Sequence, residues 1–433
     1  MIRSKSALSS QAGLLAVQSF SEDSGLNKII DKLSTGDGER VRLGFATSVK
    51  MVVTGLIGGA GSLLGVIAIW NDKILANMTG LKKLPDDSTL GRSFKRQNKQ
   101  SIADFEALPS LLELGIKDKF ITLPLMKLNS RTEEIIDIDG SPIVSYGHQE
   151  GAIKGYNHTK KGANCYQSLL AFDSMSKTVK LAWLQSGNTH CANGIIDFSR
   201  QLHSLNPSTK KFYRLDSGFF SGAAMDEFDS QKNGYLVKAK LTAPLKKILA
   251  DLSWEKIPKK PGKQGWEQAD FYHACKDWSK RRLFSAVRIK IDEYTDDESL
   301  FPDQIIEKYA YFCYVCTRKM DPWPLHKFYG QRATCENWID ELKNQIFLGK
   351  MRTRDFDSTS LMFHCSVLAY NLLRWMAICS SNKRLISWEI ASIRCFIIRI
   401  AAKICNARQL LIEIHGHHLY QAELDAWMNF CRF

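Results

Sequence analysis

Hydrophobic and polar positions change rhythm several times along this chain. Residues 1–125 read as mostly helical. Within them Met51 to Trp70 (MVVTGLIGGAGSLLGVIAIW) is an uncharged run of twenty residues with five glycines. That is long enough to span a bilayer, and its glycines would let helices pack closely in lipid. The run also holds polar Thr54 and Ser62 and is the only stretch of its kind. Buried helices of a small domain are therefore favoured over a membrane span. In LPDDSTLGRSFKRQNKQ, Asp87 or Ser88 can cap a helix. Arg92, Lys95, Arg96 and Lys99 would share one of its faces, either as a DNA-facing surface or as a solvated side.

From about residue 133 the pattern is α/β. EEIIDIDGSPIVSYG reads as a strand, a glycine-centred turn and a second short strand. YQSLLAFD and TVKLAWLQ read as apolar strands joined by a hairpin at Ser174 to Lys177. Ala192 to Leu205 suits a helix, KFYRLDSGFF a buried strand ending at Asp216, and NGYLVKAK a further strand. Antiparallel strands followed by alternating helices and strands predict a mixed sheet flanked by helices. In 241–318 Trp254, Trp266 and Trp278 recur among lysines, glycines and prolines, and Arg282 to Ile291 alternates with period two. This predicts a β-rich insertion whose indoles are either core or base-stacking platforms. The chain thus divides into a helical DNA-binding region (1–125), a core (126–240), the insertion (241–318), a core helix (319–350) and a helical C-terminal region (351–433).

Composition narrows the partner. The 433 residues carry a formal charge of +14 and a pI near 9.2, which favours a polyanion, nucleic acid first. Eleven scattered cysteines with no signal peptide ahead of them fit reduced thiols in a cytoplasm rather than a disulfide framework. Cys313 and Cys316 form a lone CxxC without a second ligand pair nearby, so they read as buried small hydrophobes rather than a zinc site.

Chemistry enters with Tyr329, Arg332, Glu336 and Lys343. At about 100° per residue the last three lie at roughly 300°, 340° and 320° from Tyr329, one stripe about 60° wide. Such a stripe is either a solvated helix side or a surface for phosphates and a divalent cation. Two-metal phosphodiester chemistry needs carboxylates around ions about 4 Å apart, and hard oxygen ligands select Mg²⁺ or Mn²⁺. Asp139, Asp216 and Glu336 are the carboxylates in suitable places. Asp137, on the same strand face, competes with Asp139. Glu341 lies about 140° around the helix from Glu336 and is set aside.

The spacing resembles the Y-(2)-R-(3)-E-(6)-K signature of DDE transposases in the broad insertion sequence 4 group. IDIDGSPIVSYGHQEGAIKGYNHTKKGANCYQSLLAFD, SGNTH, YRLDSGFFS and FYGQRATCENWIDELKNQI look like consecutive blocks of the insertion sequence 1380 transposases. LPDDSTLGRSF is similar to their N-terminal region. Gly140-Ser141, Asn157-His158-Thr159 and Ala163-Asn164 depart from that family's usual residues. The resemblance implies an RNase H-like catalytic core and assigns Asp139, Asp216 and Glu336 to catalysis and to two Mg²⁺ or Mn²⁺ ions. It assigns Tyr329, Arg332 and Lys343 to the phosphates of a bound transposon end, beside Arg92, Lys95 and Arg96 on DNA. The implied partners are the terminal inverted repeats of its own element and target DNA, held by a homodimer or larger synapse in a bacterial cytoplasm, with no membrane. The implied reaction is cutting and joining, often through a hairpin that the β-rich insertion steadies with an aromatic such as Trp254 or Trp266. A catalytically inactive or domesticated DNA-binding derivative, and a nuclease without strand transfer, are the alternatives.

Overall fold

The computed structural model describes residues 8–38, 41–72, 75–76, 81–155, 157, 160–189, 192–257, 265–294, 304–406, 411–414 and 416–431. Strand β1 (Leu8–Ser9) pairs antiparallel with Ala402–Asn406, which pairs in turn with Leu411–Ile414.

The second sheet carries the architecture. β2 (Glu133–Val144) pairs antiparallel with a middle strand that also takes up short β3 (Ile153–Lys154). That middle strand is β4 (Asn164–Asp173), and β5 (Val179–Ser186) lies antiparallel on its far side. β6 (Lys210–Leu215) is parallel to β2, and β7 (Gly234–Lys238) is parallel to β6. The order β5-β4-β2-β6-β7 is thus three antiparallel strands followed by two parallel ones.

The antiparallel strands of 241–318 extend this sheet. β8 (Glu255–Lys256), β9 (Glu267–His273), β10 (Arg282–Lys290), β11 (Ile305–Ile306) and β12 (Tyr309–Cys316) join it through antiparallel pairing of β12 with β7. Among the described residues the sheet has eleven strands.

The glycine-centred turn expected at Gly140 is absent. β2 keeps unbroken register with β4 from Ile136↔Asp173 to Val144↔Cys165. Pro142, which has no N–H to donate, is tolerated because pairing of β2 with β6 stops at Ile138.

Side-chain alternation feeds two cores. Tyr166, Leu170 and Phe172 of β4 enter a cluster with the helices of both chain ends. Leu169 and Ala171 enter another with Phe198 and Phe228. Among the helices, in chain order, are α1 (Gly13–Asp23), α2 (Phe45–Gly58), α3 (Leu63–Trp70), α4 (Asp87–Lys95) and α5 (Lys99–Lys119). After the first strands come α6 (Ile195–Leu205) and α7 (Gly222–Ser230), then α8 (Pro322–Gly330), α9 (Thr334–Asp340) and α10 (Phe356–Cys379).

The apolar run Met51 to Trp70 folds as parts of α2 and α3, bent by 88°. Gly59, at φ 102°, closes α2 in the left-handed region that other residues rarely adopt. Ser62 then caps α3 through Gly65 N at 3.1 Å. α10 is also long and apolar enough to cross a membrane, but its apolar window is wholly buried inside the protein. Mid-helix Asn371 shows how closely α10 docks. It accepts from Val179 N at 2.9 Å and donates to Val179 O at 2.7 Å, capping the open edge of β5. A buried charge network ties α5 to the sheet: Lys180 bonds Glu113 and Glu134, and Arg131 grips Asp173.

Candidate active site

β2 and β6 run parallel, and their last paired residues are Ile138 and Leu215. The next residue on each strand is an aspartate. Asp139, midway along β2, and Asp216, just past the carboxyl end of β6, therefore lie side by side on neighbouring strands about 4.8 Å apart. Asp216 accepts from Gly218 N at 2.9 Å and so caps the turn Ser217–Phe219 where β6 ends. Asp139 accepts from Gly140 N at 2.9 Å. Burial pushes the Asp139 carboxyl up to about 6, against the pull of Arg332, and the charges of Asp216 and Glu336 push the same way as burial. Three acids distant in sequence thus share one electrostatic neighbourhood.

The segment bearing Glu336 is not one regular helix. α8 passes through a 3₁₀ turn (Gln331–Ala333) into α9, which ends in a π turn (Glu341–Gln345). The uniform stripe expected for Tyr329, Arg332, Glu336 and Lys343 is therefore broken by a tighter turn and a wider one. Arg332 is buried and turned inward, with Nη2 3.0 Å from Asp139 and 3.1 Å from Ile138 O. Its Nε has no hydrogen-bond partner among the described residues. Glu336 is exposed. Half-buried Lys343 donates to Ser141 Oγ at 3.1 Å and Pro142 O at 3.0 Å, and burial lowers its pKa. Tyr329 packs its ring 4.9 Å from Tyr314. The segment thus follows β2 from Ile138 to Pro142.

The two competing acids are engaged elsewhere. Asp137 is fully buried, and both its oxygens are held by Arg214, from Nε at 2.7 Å and Nη2 at 2.8 Å. Arg214 also donates to Phe328 O at 2.9 Å. Sequence reasoning passed over Arg214, although a charge inside KFYRLD, two residues before Asp216 and so on its face, is the available signal. Glu341 is buried, paired with Arg374 and accepting from Ile390 N.

The basic face expected around Arg92 is divided. The N-cap is Asp86, not Asp87 or Ser88, accepting from Thr89 N. α4 stops at Lys95, and Lys99 opens α5. Arg92 and Lys95 are exposed, whereas Arg96 turns back to Asp37 at 3.0 Å and to Leu43 O at 3.1 Å.

The indoles also differ from one another. Trp266 is core, 5% exposed and packed at tilted angles against Trp323 and Phe312. It has no face to offer a base. Half-buried Trp254 lies under Arg288, whose guanidinium is 4.5 Å from its ring and 4.4 Å from that of Tyr309. Cys313 is buried in β12. His158, Thr159 and His190 lie outside the described residues.

Among the described residues, no three histidine, cysteine, aspartate or glutamate side chains form a ready-made metal-holding group. The Arg332 guanidinium lies on Asp139, and Glu336 points to solvent. The donor chemistry of Asp139, Asp216 and Glu336 nonetheless suits a hard divalent cation, since three carboxylates supply the oxygen ligands such an ion takes.

The family model described as transposase DDE domain group 1 matches residues 4–432, so the chain belongs to that family. No curated protein matches in sequence. Among solved structures the chain resembles a piggyBac transposase synaptic complex with hairpin DNA, with 10% identity, 97% of this chain and 85% of that chain covered, and a TM-score of 0.47. That likeness is too distant to carry a role across.

Proposed function

We propose that this member of the transposase DDE domain group 1 family is a cut-and-paste transposase of the insertion sequence 1380 type. It would act as a dimer or larger synapse on the terminal inverted repeats of its own element and on target DNA. The observation that carries this reading is the convergence of Asp139 and Asp216, on neighbouring parallel strands where their pairing stops, with Glu336 on the segment packed beside them. The order of antiparallel and parallel strands around them suits an RNase H-like core, and the net charge of +14 suits a polyphosphate partner.

Asp139, Asp216 and Glu336 would hold two Mg²⁺ or Mn²⁺ ions. When bound, these supply activation of the attacking oxygen and stabilisation of the leaving oxygen. Asp137, neutralised by Arg214, stays a structural residue beneath the site. Arg332 positions the Asp139 carboxylate, and Lys343 fixes the Ser141–Pro142 backbone beside it. Lys343 and Tyr329 are assigned to the DNA phosphates. A water oxygen attacks the phosphorus at each element end, the bond to the 3′ oxygen breaks, and a 3′-OH is released. That hydroxyl then attacks a phosphodiester of target DNA and displaces its 3′ oxygen.

The test is the purified protein on a labelled duplex carrying the DNA that flanks its gene, with Mg²⁺ or Mn²⁺. Nicking at a discrete repeat boundary followed by joining to a target, both lost in Glu336→Ala, is the expected result. Cleavage without joining would leave a nuclease. Binding without cleavage by either protein would overturn the catalytic reading.

A further inference from the structure

Tyr146 is an unusual surface residue. Its side chain is 80% exposed although tyrosine is a large, mostly apolar group. The loop beneath it is firmly anchored. Ser145 N donates to Asn164 O at 2.8 Å, Ser145 Oγ bonds Gln149 at 2.6 Å, and Glu150 N donates to Arg354 O at 2.9 Å. An aromatic ring is therefore held out into solvent from a fixed base. Basic side chains surround it. Lys160 Nζ bonds its hydroxyl and lies 4.9 Å from the ring centroid. Lys161 is exposed next in sequence, and the charge of Arg352 reaches the Tyr146 hydroxyl.

Its position in the fold gives these features a direction. Tyr146 lies just past the carboxyl end of β2, on the same strand that carries Asp139 further back. Lys343 touches the strand between them, at Ser141 and Pro142. At about 3.3 Å per residue, Tyr146 is at most about 23 Å along the chain from Asp139, or about seven base-pair steps of DNA. An exposed ring flanked by cations is the arrangement that binds unpaired nucleotides, the ring stacking on a base and the cations holding its phosphates. Within an intact duplex, neighbouring pairs already cover both faces of every base. The face Tyr146 offers fits a base at a strand end, a nick or an unpaired tail, which strand cleavage produces.

We propose that Tyr146, with Lys160 and Lys161, forms a stacking site for an unpaired nucleotide of the DNA whose backbone is cut at Asp139, Asp216 and Glu336. This rests on the DNA-cutting reading above.

The experiment compares a continuous duplex with the same sequence bearing a short single-stranded 3′ tail that contains 2-aminopurine. The readouts are anisotropy and 2-aminopurine quenching. Wild-type protein is expected to quench the tail and bind it more tightly than the duplex. Tyr146→Ala, at an exposed position where folding is safe, should remove the quenching and weaken tail binding roughly 5- to 100-fold. Duplex binding should change less than about twofold, since stacking adds nothing there. Tyr146→Phe should restore both signals. Equal quenching by wild type and Tyr146→Ala, or equal loss of tail and duplex binding, would overturn the stacking site while leaving cleavage intact. A wild-type protein that neither bound nor cut any of these DNAs would overturn the transposase reading as well.

Discussion

Replacing Arg214 with Met should unfold this protein more readily than almost any other single change near the site. Arg214 is 2% exposed and Asp137 not at all, and two bonds of 2.7 and 2.8 Å join them. Removing one partner of such a buried pair leaves an uncompensated charge and costs about 3–5 kcal/mol. At about 1.4 kcal/mol per tenfold, the folding equilibrium falls by roughly two to four orders of magnitude. Burial already holds the Asp137 carboxyl above its ordinary value against the pull of Arg214; without Arg214 it rises further, and the lone Asp137 can escape by taking a proton. The folded state then binds more protons than the unfolded one, and the deficit shrinks as pH falls. Replacing both residues with apolar side chains, Asp137→Leu with Arg214→Met, removes the stranded charge and should recover most of the loss. Urea midpoints of the wild type, both single variants and the double variant, at neutral and mildly acidic pH, read this directly. An Arg214→Met protein within about 1 kcal/mol of wild type, or a double variant as unstable as the worse single one, would refute the reasoning.

The same structure makes other predictions. Burial depresses His326 and His364 to about 3, from an ordinary 6.5. Between those values the unfolded chain binds protons that the folded one does not, so stability should fall as pH drops, by about 1.4 kcal/mol per unit for each histidine. His364→Leu should flatten part of that slope in urea titrations, and an unchanged slope would count against it. Trp266→Ala should cost about 3–5 kcal/mol by denaturation, as loss of a large core side chain does. Trp254→Ala, at a half-buried site, should cost markedly less, and equal losses would contradict their different packing. Lys343→Ala should lower the slope of log binding constant against log salt by about 1, measured on duplex DNA, and a full slope would remove Lys343 from the phosphates.

Much of the placement was legible because local pattern fixes it. IDID and YRLD are apolar strand segments that lead into acids; β6 ends just before Asp216, whereas β2 runs on through Asp139 to Val144. What stayed hidden depends on pairing between distant segments. Asp137 and Asp139 look equivalent until parallel register brings Arg214 opposite Asp137, after which only one carboxylate remains for chemistry. Arg96 seemed part of a basic face because Asp37, which draws it inward, is remote in sequence. The 3₁₀ and π turns between Tyr329 and Lys343 carry no proline within them, so a single helical period was the natural reading. The strands of 241–318 showed their alternation, but their continuity with the core sheet rests on β12 finding β7.

The central claim is that Asp139, Asp216 and Glu336 form the metal site and Asp137 does not. Mn²⁺ titration followed by electron paramagnetic resonance, on wild type and on Asp139→Asn, Asp216→Asn, Glu336→Gln and Asp137→Asn, tests it most directly. Each of the first three variants is expected to weaken Mn²⁺ binding sharply, while folded Asp137→Asn binds as wild type does. Loss of binding in Asp137→Asn with retention in Asp139→Asn would contradict it.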